Sequence, residues 1–252
     1  MSTAATSVLR YSRPEHGSRF GRRASTLAVA AALAACTTFS FPTTTAAFEA
    51  EGIATAIDAD TLDLDGGSRV RLVGIDAPEI GQRCKRPDGR EWKCGIEARN
   101  RLADLVDGKE VGCAGEEFDD YHRLLARCSV GGVEVNALLI GEGLAWAFVK
   151  YSRAYVDLEA IARARRLGIW NGTAQPAWEY RAKRWEIAAA KAPQGCPIKG
   201  NISRDGERIY HAPWSPWYDR TSVDTAKGER WFCDEAQVIK AGWREPKWAR
   251  SH

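Results

Sequence analysis

The sequence predicts a mainly β fold with packed helices, of the α+β class, built around a small closed or partly open β-barrel. Residues 51–75 alternate apolar and polar side chains with period two, which is typical of strands, and residues 109–130 contain two further strand-like runs. Helical spacing appears between these two groups and again after the second. This order of three strands, a helix, two strands and two helices favours a five-stranded barrel of the OB type.

The first three strands lie in "EGIATAIDAD" and "TLDLDGGSRVRLVGI", and Asp65-Gly66-Gly67 supplies a turn between two of them. The following segment, "GIEARNRLADLVDG", repeats apolar residues at a helical spacing and ends at Gly108. The apolar positions are Ile96, Leu102, Leu105 and Val106. We therefore expect a helix that packs on the barrel through this apolar stripe.

The second half of the barrel begins with two strand-like runs, "KEVGCAGEE" and "RLLARCSV", which predict a hairpin that turns near Asp120 and Tyr121. "NALLIGEG" predicts a brief helix capped by Asn136. "YVDLEAIARARRLG" predicts an amphipathic helix that Gly168 ends. A further helix, bounded by prolines, is expected between residues 176 and 193.

Residues 1–47 have the layout of a secretory signal: a basic stretch ending in Arg22-Arg23, the apolar run "TLAVAAALAACTTFSF", and a close of small residues. We expect cleavage after Ala47 and an exported protein, either periplasmic or secreted. Two alternatives stay open, because "LAAC" resembles a lipid-attachment box at Cys36 and the arginine pair resembles a twin-arginine signal. No transmembrane span is expected after signal removal, since the apolar run is short and rich in alanine.

The net charge of +3 comes mainly from that first segment. Residues 1–47 hold five arginines and one glutamate, and the rest of the chain carries 31 Lys and Arg against 32 Asp and Glu. Bulk charge therefore gives no reason to infer a nucleic-acid partner. Any binding of anions must come from local sites.

Composition divides the remaining chain into three parts. Residues 48–172 hold the predicted barrel, residues 173–194 a helical linker, and residues 195–252 a small, turn-rich module with many aromatic side chains. The module is too small for a large core, so a disulfide would supply stability that its core cannot.

Six cysteines remain once residues 1–47 are set aside, and an even number in an exported chain indicates a disulfide framework. Position indicates three pairs: one on the two hairpin strands, one across a polar loop and one in the tail. These are Cys113 with Cys128, Cys84 with Cys94, and Cys196 with Cys233. The alternative of a zinc site is not indicated, because the chain lacks paired C-x-x-C motifs.

Three short segments place charged residues in or beside apolar strands. They carry Asp58 and Asp60, then Arg71, Asp76 and Glu79, and then Asp120, Tyr121 and Arg123. Taken singly, the aspartates are better explained as turn residues and Arg71 as an exposed strand position. Taken together, Asp60 and Asp76 would converge at one mouth of the barrel if the strands pair as expected.

The chemistry of this set points to one kind of site. Two carboxylates and a backbone carbonyl are hard oxygen ligands for Ca²⁺ or Mg²⁺. Arginine forks match phosphate oxygens and stabilise the negative charge that builds during attack on a phosphodiester. A third carboxylate, Glu79, would orient or deprotonate a water. The sequence therefore predicts a metal-assisted phosphodiesterase.

The segments resemble the staphylococcal nuclease family over about residues 52–170. The matching motifs are Asp58-Ala59-Asp60-Thr61, Arg71 to Glu79, Asp119-Asp120-Tyr121-His122-Arg123, and Gly168-Ile169-Trp170. The resemblance implies an OB-fold and Ca²⁺-dependent hydrolysis of DNA and RNA, single-stranded or unpaired. It implies no obligate protein partner, and a monomer is expected.

The resemblance also implies roles for individual residues. Asp60 and Asp76 look like direct calcium ligands, and Ala77 looks like the ligand that acts through its backbone carbonyl. Glu79 resembles the residue that positions or deprotonates the attacking water. The remaining matches are the phosphate clamp and a phosphate-contacting tyrosine: Arg71, Arg123 and Tyr121.

Three departures from the family pattern stand beside these matches. Ala77 replaces a threonine, so a carbonyl ligand survives but a hydroxyl does not. Ala59 and His122 replace glycines, and a positive φ at either position would cost free energy. The loop over residues 80–95, with its expected disulfide, resembles one in a subset of secreted relatives and is expected to shape substrate entry.

The tail resembles a small module of secreted bacterial nuclease-like proteins, some of them named for succinoglycan production. The resemblance therefore implies a second reading, a non-catalytic accessory or binding protein for envelope polysaccharide. Trp231 and Trp243 are expected in the core of the module. Trp214 and Trp217 suit a core or stacking on sugar rings or bases.

Overall fold

The structure is a computed structural model that describes residues 47–246. The predicted signal segment, apart from Ala47, lies outside the described residues, and so does Cys36. The same holds for residues 247–252 at the end of the predicted module. Within the described part, no helix has both the length and the apolar character that crossing a membrane requires.

The described chain folds into a barrel with packed helices, followed by a small second sheet. The strands are β1 (Phe48–Ala56), β2 (Thr61–Leu64), β3 (Arg69–Leu72), β4 (Ile75–Asp76), β5 (Cys84–Lys85), β6 (Glu91–Trp92), β7 (Glu110–Phe118), β8 (Leu124–Val130), β9 (Val133–Glu134), β10 (Trp146–Ala147), β11 (Ile198–Ile202), β12 (Arg208–His211) and β13 (Arg230–Phe232). The α-helices are α1 (Cys94–Val106), α2 (Val135–Gly141), α3 (Val156–Ala164), α4 (Ala177–Ala189) and α5 (Glu235–Lys240).

Five strands form the closed barrel. β1 pairs antiparallel with β2 and with β7, and β2 continues antiparallel to β3. β7 and β8 form the predicted hairpin, and a parallel pairing of β8 with β3 closes the ring. The prediction of an α+β fold with a five-stranded OB-type barrel is therefore confirmed.

Apolar side chains from the barrel and from α1 and α2 form one continuous core. The alternating pattern of the strands and the helical stripe of α1 point their apolar faces into the same space. Fully buried members include Leu62, Val70, Leu72, Leu102, Val106, Val111, Leu139 and Ile140. This core fixes the strand ends that carry the charged motifs.

Asn136 does not cap α2 as predicted, because the helix begins one residue earlier at Val135. Its side chain is instead fully buried and hydrogen-bonded. Oδ1 accepts from the Cys128 amide at 3.1 Å, while Nδ2 donates to the carbonyl oxygens of Val73 and Ala126 at 3.0 and 3.2 Å. A buried amide needs such partners, so Asn136 joins β8 to the segment after β3.

Three disulfides join the cysteine pairs that sequence position indicated. They are Cys84–Cys94, Cys113–Cys128 and Cys196–Cys233. Cys113 and Cys128 are direct partners in the β7–β8 register, so the hairpin itself brings them together. The first disulfide belongs to a second small core with Trp92, Trp146 and Ile169.

The C-terminal segment has its own sheet, β12-β11-β13, and its own core. That core contains Ile198, Tyr210, Phe232, Val238 and Trp243. Trp243 is 5% exposed, as expected, but Trp231 is only partly buried and its ring lies 5.7 Å from the Lys199 ammonium. The division into a barrel domain, linker and module stays a prediction.

Close contacts join the C-terminal segment to the barrel. Gly81, in the loop after β4, lies so near the Trp214 carbonyl that a Cβ there would be 2.9 Å from the oxygen. Only glycine fits such an approach without movement of the backbone. The start of the loop over residues 80–95 therefore lies against the tail.

Candidate active site

Arg71 lies between two buried carboxylates at the mouth of the barrel. Its position in β3 pairs with Thr61 of β2 and Leu125 of β8, at the closure of the ring. Nη1 donates to Oδ1 of Asp60, and Nη2 donates to Oδ1 of Asp76 at 2.9 Å. A charge inside an apolar strand is stable only when it is paired in this way.

Two turns hold the carboxylates in place. Asp58 Oδ1 accepts from the Asp60 amide at 2.9 Å, which shapes the turn between β1 and β2. Asp60 Oδ2 accepts from the Ala77 amide at 3.0 Å, which links that turn to the end of β4. The β4–β10 pairing fixes Asp76 opposite Trp146. Asp60, Asp76 and Ala77 therefore lie together, as the sequence motifs suggested.

Arg181, which none of the sequence motifs contains, connects Glu79 to the same cluster. Arg181 of α4 forms a fork on Asp76, with Nη1 to Oδ1 at 3.0 Å and Nη2 to Oδ2 at 2.9 Å. Its Nη1 also donates to Glu79 Oε1 at 2.8 Å. The carboxylate of Glu79 is thus tied to Asp76 through one guanidinium.

Arg123 and Tyr121 lie on the β7–β8 turn. Asp119 organises this turn: its carboxylate accepts from the amides of Tyr121 and Arg123 and from Nε of Arg123 at 2.8 Å. The Arg123 guanidinium lies 5.0 Å from the centre of the Tyr121 ring. His122, between them, adopts a left-handed φ of 59°, whereas Ala59 does not have a positive φ. Of the two replaced glycines, only His122 therefore carries a backbone penalty.

A cavity of about 490 Å³ unites these groups. Its floor includes Arg71, Glu79, Arg123 and Arg181. Its walls are aromatic and come from both halves of the chain: Tyr121, Phe148, Tyr151, Trp185 and Trp214. Asp60 and Asp76 do not line it, since they lie behind Arg71 and Arg181 with 3% and none of their surface exposed. Carboxylates line the cavity as well, so it presents guanidinium groups and acidic groups together, above the two buried carboxylates. The further acidic residues of the lining are Asp58, Asp119, Asp120, Glu235 and Glu245.

Burial and crowding change the protonation of the carboxylates. Burial raises the pKa of Asp60 well above its usual value against the opposing charge of Arg71, and Asp58 and Asp76 raise it further. Burial likewise raises the pKa of Glu79 to about 7, although Arg181 opposes this shift. Burial is the largest cause of both shifts, and the neighbouring carboxylates add to it.

The C-terminal segment adds an acidic residue to the same cavity. Glu235 of α5 forms a hydrogen bond with the Tyr121 side chain, and burial raises the pKa of Glu235 to about 7. Burial, with Glu235 as the next cause, raises the pKa of Tyr121 to about 12. Tyr121 is therefore a neutral donor at physiological pH.

The donor set suits a hard divalent cation such as Ca²⁺. Asp60 and Asp76 would offer carboxylate oxygens and Ala77 a backbone carbonyl, although Arg71 and Arg181 occupy these carboxylates in the structure. Within residues 47–246, no three His, Cys, Asp or Glu side chains are arranged as a complete metal-binding group. The backbone carbonyl and water would therefore complete the shell of such an ion.

The sequence motifs identified most of this cavity but missed its second wall. Arg181, Trp185, Trp214 and Glu235 all lie beyond residue 172. One signal was present in the sequence: Trp178, Arg181 and Trp185 recur at a spacing that places them on one face of α4. That spacing indicates a helix with one face turned to a surface, but it does not reveal which surface.

The fold and the site define the class of protein: an OB-type barrel with carboxylates and arginines gathered at its mouth. Residues 69–172 match the family model described as staphylococcal nuclease homologue. The chain belongs to this family. The family that the four sequence motifs predicted is therefore confirmed.

Three relatives illustrate the match. Micrococcal nuclease of Shigella flexneri is 36% identical over 142 residues, covering 50% of this chain and 76% of the relative. Succinoglycan biosynthesis protein ExoI of Rhizobium meliloti (strain 1021) is 32% identical over 175 residues, covering 68% and 90%. An uncharacterized endonuclease of Haemophilus influenzae is 33% identical over 139 residues, covering 52% and 72%.

Proposed function

We propose that this protein is an exported, Ca²⁺-dependent nuclease that hydrolyses phosphodiester bonds of DNA and RNA. The observation that carries the proposal is the pairing of Arg71 with both Asp60 and Asp76 inside a domain of the nuclease family. The relatives named micrococcal nuclease and endonuclease support the reaction class. The three disulfides are compatible with export, since such bonds persist in oxidising compartments.

The proposed roles follow from where each group lies. Arg71 and Arg123 line the cavity and would bind the phosphate through the guanidinium N–H groups that Asp60, Asp76 and Asp119 leave free. Glu79 also lines it, and as a carboxylate it orients a water or accepts a proton from that water. Tyr121 would donate its one O–H to a phosphate oxygen in place of the Glu235 carboxylate. A Ca²⁺ ion held by Asp60, Asp76 and the Ala77 carbonyl would act as a Lewis acid on the phosphate.

The aromatic walls favour unpaired bases in the substrate. Trp185 and Trp214 have ring centres 6.3 Å apart on one side of the cavity, and Phe148 and Tyr151 are 5.4 Å apart and line it as well. Aromatic faces stack on bases of any sequence, but a base is available for stacking only when it is out of a duplex. Single-stranded DNA and RNA are therefore the proposed substrates.

The test is cleavage of single-stranded DNA, single-stranded RNA and duplex DNA by the purified protein, with Ca²⁺ or with a chelator. We expect cleavage of both single strands with Ca²⁺ and its loss with chelator. Arg71→Ala should lower the rate by about 100-fold or more, as expected for loss of a group that stabilises transition-state charge. Arg69→Ala is the matched control, since Arg69 lies on the same strand but pairs with Asp63. Equal rates in the two variants would contradict the proposed clamp.

A second candidate function is that of an accessory or binding protein for envelope polysaccharide. The observation in its favour is that the succinoglycan biosynthesis relative matches over 175 residues, a longer stretch than the nuclease domain model. In the present chain, half-exposed tryptophans such as Trp214 would stack on sugar rings. Glycan binding by a protein that cleaves no nucleic acid would support this candidate over the nuclease.

A further inference from the structure

Arg181 lies outside the matched nuclease domain and still makes the most contacts to its carboxylates. It belongs to the face of α4 that also carries Trp178 and Trp185. The Trp178 ring packs 6.2 Å from Trp146 and 5.7 Å from Phe148 of the barrel. This packing fixes the helix against the mouth of the barrel and directs Arg181 into it.

The guanidinium of Arg181 is the main hydrogen-bond partner of the fully buried Asp76 carboxylate. Asp76 accepts from Arg181 at both oxygens and from Arg71 at one, and none of its surface is exposed. Arg181 itself is 23% exposed and lines the cavity beside Arg71 and Arg123. It therefore stands between the buried carboxylates and the space where a phosphate would bind.

We propose that Arg181 is a third phosphate-binding guanidinium of this site and the resident counter-ion of Asp76 when no divalent cation is bound. The inference rests on the proposed function. A divalent cation would need the same oxygens of Asp76, and two cations at those oxygens repel each other. A guanidinium fork that fits a carboxylate also fits a phosphate, and Arg181 both contacts Asp76 and lines the cavity.

The proposal predicts that one substitution shifts two affinities in opposite directions. In Arg181→Ala, Ca²⁺ should bind about tenfold more tightly, because its competitor for Asp76 is gone. Thymidine 5′-monophosphate, which has no phosphodiester to hydrolyse, should bind about tenfold more weakly at saturating Ca²⁺. Both affinities are measured by isothermal titration calorimetry. A merely structural role for Arg181 would weaken both.

Two further variants complete the design. Lys183→Ala removes one positive charge from an exposed position of the same helix and should change neither affinity. Arg181→Lys keeps the charge but lacks the fork, so Ca²⁺ affinity should stay near that of the unsubstituted protein while the nucleotide binds more weakly. Unchanged or jointly weakened affinities in Arg181→Ala would overturn the inference. Failure of the unsubstituted protein to cleave nucleic acid would instead count against the proposed function, whatever these affinities show.

Discussion

Arg71 shows how one residue can connect sequence pattern to chemistry. A guanidinium in a short apolar strand costs free energy unless carboxylates surround it, and Asp60 and Asp76 do so from two different turns. Burial of any one of these three charged groups without the others would cost free energy. Substitution of Arg71, Asp60 or Asp76 therefore leaves an uncompensated buried charge. The same pairing that stabilises the mouth of the barrel therefore also arranges the groups that would hold a phosphate.

His211 carries a pH-dependent contribution to stability. It is 7% exposed, and Nε2 lies 3.0 Å from Oδ1 of Asn201. Burial, with smaller effects of Lys199 and Arg220, lowers its pKa to about 4. The unfolded chain, with an ordinary histidine pKa near 6.5, binds more protons than the folded protein between these values. Stability should therefore fall as the pH drops through this window.

We expect the loss attributable to His211 to reach about 3 kcal/mol by pH 4. Urea unfolding at pH 7.5, 6, 5 and 4 measures it, and His211→Gln provides the comparison because glutamine does not titrate. The variant should lose less stability than the unsubstituted protein on acidification. Parallel pH profiles for the two proteins would show that His211 is not the group responsible.

At the scale of elements, the β7–β8 turn illustrates a local strain next to the site. His122 adopts a left-handed φ of 59° with an exposed side chain, between the two residues that Asp119 holds. A side chain with a Cβ is disfavoured in this conformation, whereas glycine adopts it freely. The hydrogen bonds of Asp119 to this turn supply the compensation.

His122→Gly should therefore stabilise the protein by about 0.5 to 1 kcal/mol, after allowance for the greater freedom of glycine in the unfolded chain. Chemical denaturation measures the change, and His122→Ala is the control that removes the imidazole while keeping a Cβ. The alanine variant should be close to the unsubstituted protein. A glycine variant less stable than the alanine variant would contradict the assignment of strain to this φ.

Sequence patterns predicted the barrel elements well because their signals are local. The period-two runs, the hairpin with Cys113 and Cys128, and the stripe of α1 each depend on residues within one element. The prediction that Asn136 caps α2 was wrong, because asparagine serves equally as a helix cap and as a buried, hydrogen-bonded amide. Only the tertiary contacts of its side chain to Cys128, Val73 and Ala126 separate the two roles.

At the scale of the molecule, the cavity is built by two parts of the chain. The motifs revealed the barrel half, because charged residues in apolar strands stand out. The other half was hidden, since Arg181 contacts Asp76 across 105 positions of sequence and a basic residue on a helix is ordinarily a surface residue. The role of the aromatic tail was equally ambiguous in the sequence, and the structure shows that Trp214 lines the cavity.

The assembly of the cavity has a consequence for substrate choice. Trp185 and Trp214 wall the cavity on the side of α4 and the tail, and Glu235 places an acidic group near Tyr121. Under the proposed function, a nucleic-acid strand would enter a walled, partly acidic space instead of an open basic face. The phosphate contacts would then come from the arginines that line the cavity, Arg71, Arg123 and Arg181.

The measurement that tests the central claim most directly is the turnover of single-stranded DNA by Glu79→Gln, with Glu97→Gln as the matched control on an exposed position of α1. The amide keeps the shape of Glu79 but cannot accept a proton, so kcat should fall by about 100-fold or more while KM changes little. Glu97→Gln should retain full activity. Undiminished turnover in Glu79→Gln would contradict the account, because hydrolysis would then take place without the carboxylate assigned to the attacking water.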